Sequence, residues 1–239
     1  MSIILHCGSK QVTRAEVEAV PVPEHTDTWK PVSYKAAIDF LFAQVAALGL
    51  EVRAEMYGLN KNGDQLFAML SLDVGDKGHA LSWGLRQSYN KSLALGNVAG
   101  EHTLVCDNLC FSGSAFKVVR KNTVNVWEDF CRLIEEQAKN ALGHYKVIRA
   151  ENDALKEVDC GLTRGFEILG VAMGNGVLTP TQATVAFGDW KTPRYEDFAE
   201  RNLYSLYQCV TEGLKKGGPG LLIDRHVKAH AFMQEVAQA

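Results

Sequence analysis

A chain of 239 residues can bury a sizeable core, as one large domain or two small ones. At 46% hydrophobic and 22% charged it excludes extended disorder, and a formal net charge of -3 argues against a broadly basic duplex-DNA binder. The most hydrophobic segment, residues 34–50, is interrupted by Lys35, Asp39 and Gln44, short of the roughly 20 apolar residues a membrane span needs. The opening MSIILHCGSK lacks a basic leader and a small-residue cleavage site. The six scattered cysteines (Cys7, Cys106, Cys110, Cys131, Cys160, Cys209) are therefore expected to be reduced thiols. The expected compartment is the cytoplasm of a bacterium or of a phage-infected cell.

Ser33 is a good N-cap for a first helix. Ala36, Ala37, Phe40, Leu41, Ala47 and Leu48 supply its apolar face and Gly49 its stop. Two β-rich runs within residues 51–74 flank Asn60-Lys61-Asn62-Gly63-Asp64, where Asn-Gly supplies a hairpin turn. Further strands are predicted at 80–86, 102–106 and 115–120, with a turn at Gly100. Asn125, with Glu128 three residues on, reads as the capping box of a long helix. Its apolar face repeats through Val126, Phe130, Leu133, Ile134, Ala141 and Leu142, and it extends to about residue 158 with a bend at Gly143.

Another helix lies among the glycines at 161–176, and Thr179-Pro180 starts the next. Thr192-Pro193 is expected to start one more, running to about 215. Gly217-Gly218-Pro219-Gly220 breaks the chain before a last helix from Asp224 towards Gln238. No internal repeat is visible. The predicted fold class is α+β: an antiparallel β-sheet with packed helices in the N-terminal half, and a mostly helical C-terminal half. The division falls between residues 1–122 and 123–239, either as two units or as one continuous domain.

Charge is not spread evenly. Residues 77–121 carry Lys77, Arg86, Lys91, Lys117, Arg120 and Lys121 against Glu101 and Asp107, interleaved with Trp83, Tyr89, Phe111 and Phe116. Cations among aromatic faces suit a flexible polyanion with stackable bases. Arg86, Lys91, Lys117, Arg120 and Lys121 are the candidate phosphate contacts, and Trp83 and Tyr89 the candidate stacking faces. Ser88, Asn90, Ser92 and Asn108 add neutral hydrogen-bonding groups. Ordinary strand alternation offers the competing account, in which the aromatics are core and Ser and Asn build turns.

Three short motifs in order carry a resemblance: RQSYNKS at 86–92, LVCDN at 104–108 and LYSLYQCVTEGLKK at 203–216. They resemble a phage- and plasmid-borne family of domains of unknown function. Gln208-Cys209 stands where that family usually has Asn-Ala, and Leu109 where it often has Gly. The resemblance implies mobile elements and neighbouring recombination functions, brings no agreed activity, and favours Arg86, Tyr89, Lys91 and Asn108 as site residues. The element order is also similar to that of single-strand annealing proteins of the RecT, Red-beta and Rad type, an analogy at the level of fold.

Other chemistries fit poorly. His102, Cys106 and Cys110 lie four apart, as do His226 and His230 on a predicted helix, a spacing that zinc can use. However, no glutamate follows His226 and no paired knuckle is present, so no metal or other cofactor is expected. There is no nucleophile elbow, Walker loop or dinucleotide fingerprint. The sequence thus predicts a non-enzymatic, homo-oligomeric single-stranded-DNA-binding protein that anneals strands, working with phage or host recombination proteins and no membrane. The alternative is a counter-defence or interaction factor using Tyr195, Phe198, Tyr204 and Tyr207 as an aromatic surface.

Overall fold

The computed structural model describes residues 10–104, 108–110, 117–217 and 222–239, with side chains over 10–104, 118–217 and 224–239. A single antiparallel sheet organises the N-terminal half. Its strands are β1 (Lys10–Val12), β2 (Glu51–Leu59), β3 (Gln65–Asp73), β4 (His79–Ser88) and β5 (Leu95–Thr103), side by side in that order. Two short strands share the outer edge of β5. Strand β6 (Asn108–Cys110) lies opposite Glu101–Thr103, and β7 (Lys117–Arg120) pairs Leu95 with Arg120 and Val98 with Lys117. The hairpin turn falls where Asn-Gly put it, with Gly63 at φ +73 between β2 and β3.

Helix α1 (Arg14–Glu18) carries a complete capping box from Thr13 and Glu16. Helix α2 (Tyr34–Ala47) starts at Ser33, whose hydroxyl accepts from the Ala36 N–H, and Gly49 at φ +67 lets the chain turn away after it. Helix α3 (Val126–Lys156) runs for 31 residues without interruption. Then come α4 (Leu162–Gly174), α5 (Pro180–Lys191), a single 3-10 turn at Glu196–Phe198, α6 (Leu203–Leu214) and α7 (Leu222–Gln238). The α+β class is as the sequence indicated.

Several boundaries differ from expectation. The chain is extended from Leu95 to Thr103, and Gly100 pairs with Ser82 in mid-strand rather than making a turn. Small residues are tolerated there because strand β5 is crowded. A Cβ on Gly96 would lie 3.2 Å from Arg86 Nε, and a Cβ on Gly84 3.3 Å from a Val98 methyl. The part of the expected 102–106 strand at 105–106 lies outside the described residues. Asn125 precedes α3 but makes no side-chain cap, because φ -97 and ψ 13 deny it the extended geometry a capping side chain needs. Thr192 closes α5 by donating its N–H to Gly188 O instead of opening a helix; the following helix waits for Asn202, whose Oδ1 accepts from Ser205 N at 2.8 Å.

Alternation along the strands assigns the faces. Leu66, Leu70, Leu81, Trp83, Leu85 and Leu95 point toward α2 and the first part of α3, where Phe130 and Ile134 meet them. Phe67, Met69 and Val98 lie on the other face, with Val227 of α7 against them. A separate helical core gathers Ile148, Leu155, Leu169, Trp190, Tyr207 and Met233. Helix α3 therefore enters both large cores, the first as far as Tyr145 and the second from Ile148. Among the described residues, no helix is long and apolar enough to cross a membrane.

Candidate nucleic-acid interface

The candidate residues whose side chains are described do not stay together. Trp83 is 1% exposed, and its indole N–H donates to Gln137 Oε1 at 2.7 Å, so it offers no face to a ligand. Tyr89 is also buried. Its ring stacks on Tyr34 at 3.8 Å, and its hydroxyl oxygen accepts the Tyr34 N–H at 2.9 Å, closing the first turn of α2. Both aromatics are core because positions 81, 83, 85, 87 and 89 share the helix-covered side of β4. The stacking role expected of them is corrected on that ground.

Arg86 points the other way and is half-buried across Gly96. Burial pushes its guanidinium below the ordinary value, and the Asp224 carboxylate at the start of α7 works against that fall. Arg120 is half-buried and donates to Val119 O at 2.9 Å. Lys91 and Lys121 are exposed. Asn108 and Lys117 sit in β6 and β7, and their side chains lie outside the described residues, as do Phe111 and Phe116.

Local chemistry explains the RQSYNKS motif. Ser88 Oγ accepts the Leu93 N–H at 2.8 Å and donates to Leu93 O at 3.0 Å, while Asn90 Oδ1 accepts the Ser92 N–H at 3.0 Å. These bonds build the β4–β5 connection, which is the turn reading of Ser and Asn. Lys91 sits at its tip with φ 65. The ammonium lies over the ring of Trp29, 4.9 Å from its centroid.

No sequence motif picks out Trp29, the residue beneath the Lys91 ammonium. A tight turn holds it: Thr26 N donates to Trp29 O at 2.9 Å, and Trp29 N donates to Thr26 Oγ1 at 3.1 Å. The next residue is tied across the molecule, with Lys30 N donating to Asn122 O at 2.9 Å beside Lys121. Gln87 Nε2 bonds Val32 O and fastens the same segment to β4. The Lys30 ammonium donates to His25 Nδ1 at 3.0 Å. Trp29, Lys30, Lys91, Arg120 and Lys121 thus share one corner at an end of the sheet. Only the threonine three before Trp29, and the lysine after it, hint at this in the sequence TDTWKP.

A concave feature lies between the sheet and the helical half. A cleft of about 490 Å³ is lined by Lys77, His79, Lys156, Asn202, Tyr204 and Ser205, among others. Behind it Glu101 is completely buried. Its carboxylate meets His79 Nδ1 at 2.5 Å and Arg149 Nη1 at 3.0 Å, and accepts from Asn152 Nδ2. Arg149 also reaches Asp153 at 3.0 Å and Asp76 at 3.5 Å. Burial alone would lower the Arg149 guanidinium, but Glu101 and Asp153 outweigh it and hold the group above its ordinary value. Each of these carboxylates has a cationic partner, and Lys156 is occupied by Asp153 and by the Tyr204 ring. The arrangement is a clasp between α3 and the sheet.

The histidines at zinc-compatible spacing are buried. His102 is buried beside Ser71 Oγ, His226 is fully buried, and His230 places Nε2 2.8 Å from Glu151. Cys106 is outside the described residues, and the Cys110 side chain likewise. No group of three or more metal-binding side chains occurs among the described residues. Phe198, Tyr204 and Tyr207 are buried, with only Tyr195 half-exposed, so they do not form the aromatic docking surface expected of the alternative reading. No protein-family model, curated protein or solved structure matches this chain.

Proposed function

We propose that this protein binds single-stranded nucleic acid at the basic corner and, as a homo-oligomer, assists homologous recombination by annealing strands without enzymatic chemistry. The observation that carries the reading is convergence. Lys30, Lys91 and Lys121 come from three distant segments, and the Lys30–Asn122 bond and the Lys91–Trp29 contact bring them to one corner. Ammonium groups held by rigid turns neutralise phosphates without specifying sequence, which annealing requires. One corner is a modest site. Repetition around an oligomer multiplies it and holds a strand extended with its bases open to a complement. The setting in mobile elements, beside phage or host recombination proteins, rests on the three short motifs at 86–92, 104–108 and 203–216 alone.

The test is fluorescence anisotropy of a labelled oligonucleotide across a salt series. Each phosphate contact removed flattens the dependence of log K on log salt by roughly 0.7 for a single strand. Replacing Lys30, Lys91 and Lys121 together by alanine should reduce the slope by about 2. An unchanged slope removes the corner from the site. Light scattering with and without oligonucleotide reads the assembly, and a monomer under both conditions rules out the annealing ring.

A further inference from the structure

We infer that Trp29 is the base-stacking platform of this corner, and that Lys91 occupies its face as a placeholder until an unpaired base arrives. The inference rests on the proposed reading and names its ligand class: a strand with an accessible base, not a paired duplex. Trp29 is half-buried in a loop and is not part of any of the three apolar cores, whereas Trp83 and Trp190 are sealed inside them. Its backbone is fixed on both sides by the Thr26 turn and by Lys30–Asn122, so the indole is presented with little freedom.

One ring face is covered by the Lys91 ammonium, 4.9 Å from the centroid, on an exposed side chain that can move aside. An exposed cation on an indole contributes roughly twofold to fivefold to an equilibrium. A stacked base contributes roughly fivefold to 150-fold. Exchange therefore runs toward the base, and the displaced ammonium, on a turn tip with no side-chain restraint other than the ring, meets the phosphate of the same nucleotide. Stacking and charge neutralisation are thereby coupled in one residue pair. A duplex keeps its bases stacked internally and gains only the phosphate part.

The experiment compares oligothymidylate, an abasic strand of the same length and a duplex, with wild type, Trp29→Ala and Trp29→Phe. Wild type should prefer oligothymidylate over the abasic strand by up to roughly 75-fold, the stacking gain less the cation contact given up. Trp29→Ala should lose that preference while keeping the salt slope, and Trp29→Phe should restore part of it. Oligothymidylate should also quench indole fluorescence in wild type and not in Trp29→Phe. If Trp29→Ala binds and keeps the wild-type preference for bases, the platform is overturned while the phosphate-binding corner stands. If wild type binds neither strand at low salt, the proposed function falls and the platform with it.

Discussion

Removing either partner of the buried clasp should have unequal consequences. Replacing Arg149 by methionine keeps most of the aliphatic stem but leaves Glu101, 0% exposed, with only His79 and Asn152 to hold its charge. An uncompensated buried charge of this kind costs about 3–5 kcal/mol. Glu101→Gln is milder, because Arg149 retains Asp153 and Asp76, and the cost is limited to imperfect hydrogen bonds at about 1–3 kcal/mol. In urea, with a slope of about 3 kcal/mol per M, Arg149→Met should lower the unfolding midpoint by roughly 1–1.7 M and Glu101→Gln by at most about 1 M. The double variant has no orphaned carboxylate in the interior, since Asp76 and Asp153 are partly exposed, and should be more stable than Arg149→Met alone. If Glu101→Gln proves as damaging as Arg149→Met, or the double variant is the least stable of the three, Glu101 does not depend on Arg149 and the reasoning fails.

Gly165→Ala should destabilise by about 3 kcal/mol, since the new Cβ would fall 2.1 Å from Trp190 Nε1, whose N–H donates to Leu162 O; the thermal midpoint reads this. Tyr89→Phe deprives the Tyr34 N–H of its acceptor and should cost about 1–2 kcal/mol, seen locally as faster hydrogen exchange at Tyr34. Burial pushes the Cys209 thiol up to about 12 and raises Cys160 as well, so alkylation at mildly alkaline pH should spare both until urea is added, as peptide mass spectrometry would report. Burial likewise raises the Asp189 carboxyl despite Arg194. Its folded value lies above the unfolded one, so its contribution to stability is present at acid pH and lost as pH rises through the folded value. Asp189→Asn should therefore raise the urea midpoint near neutral pH and lose that advantage below the ordinary carboxylate range.

The elements most legible in the sequence were those whose ends are set by local chemistry. Ser33, the Asn-Gly turn before Asp64 and Thr179-Pro180 fix their termini through bonds within a few residues, and each lies where expected. Strand β5 is hidden in the sequence because Gly100 reads as a turn residue, although it pairs with Ser82 in mid-strand, and Gly96 makes room for the Arg86 side chain. Of the two accounts of the aromatics, core packing holds for Trp83 and Tyr89, and sequence alone does not choose it for a related reason. Strand β4 is covered on both faces, so alternation separates Trp83 from Arg86 without saying which side meets solvent. Lys91 and Lys121 were legible as cations, but their neighbour Trp29 was not. A backbone bond from Lys30 to Asn122, spanning most of the sheet domain, leaves no trace in residue type.

The shared helix α3 imposes a constraint of angle. Val126, Phe130, Ile134, Ala138, Ala141 and Tyr145 face the sheet core, and Ile148 and Leu155 face the helical one, on a single uninterrupted spiral. Inserting one residue near Lys146 would swing everything beyond it by about 100° and carry the later seam away from its partners. Adding seven would misalign it by only about 20°, at the expense of moving the halves some 10 Å apart. The rotational phase of one helix thus registers the basic corner's scaffold to the C-terminal bundle, as a keyed shaft aligns two gears.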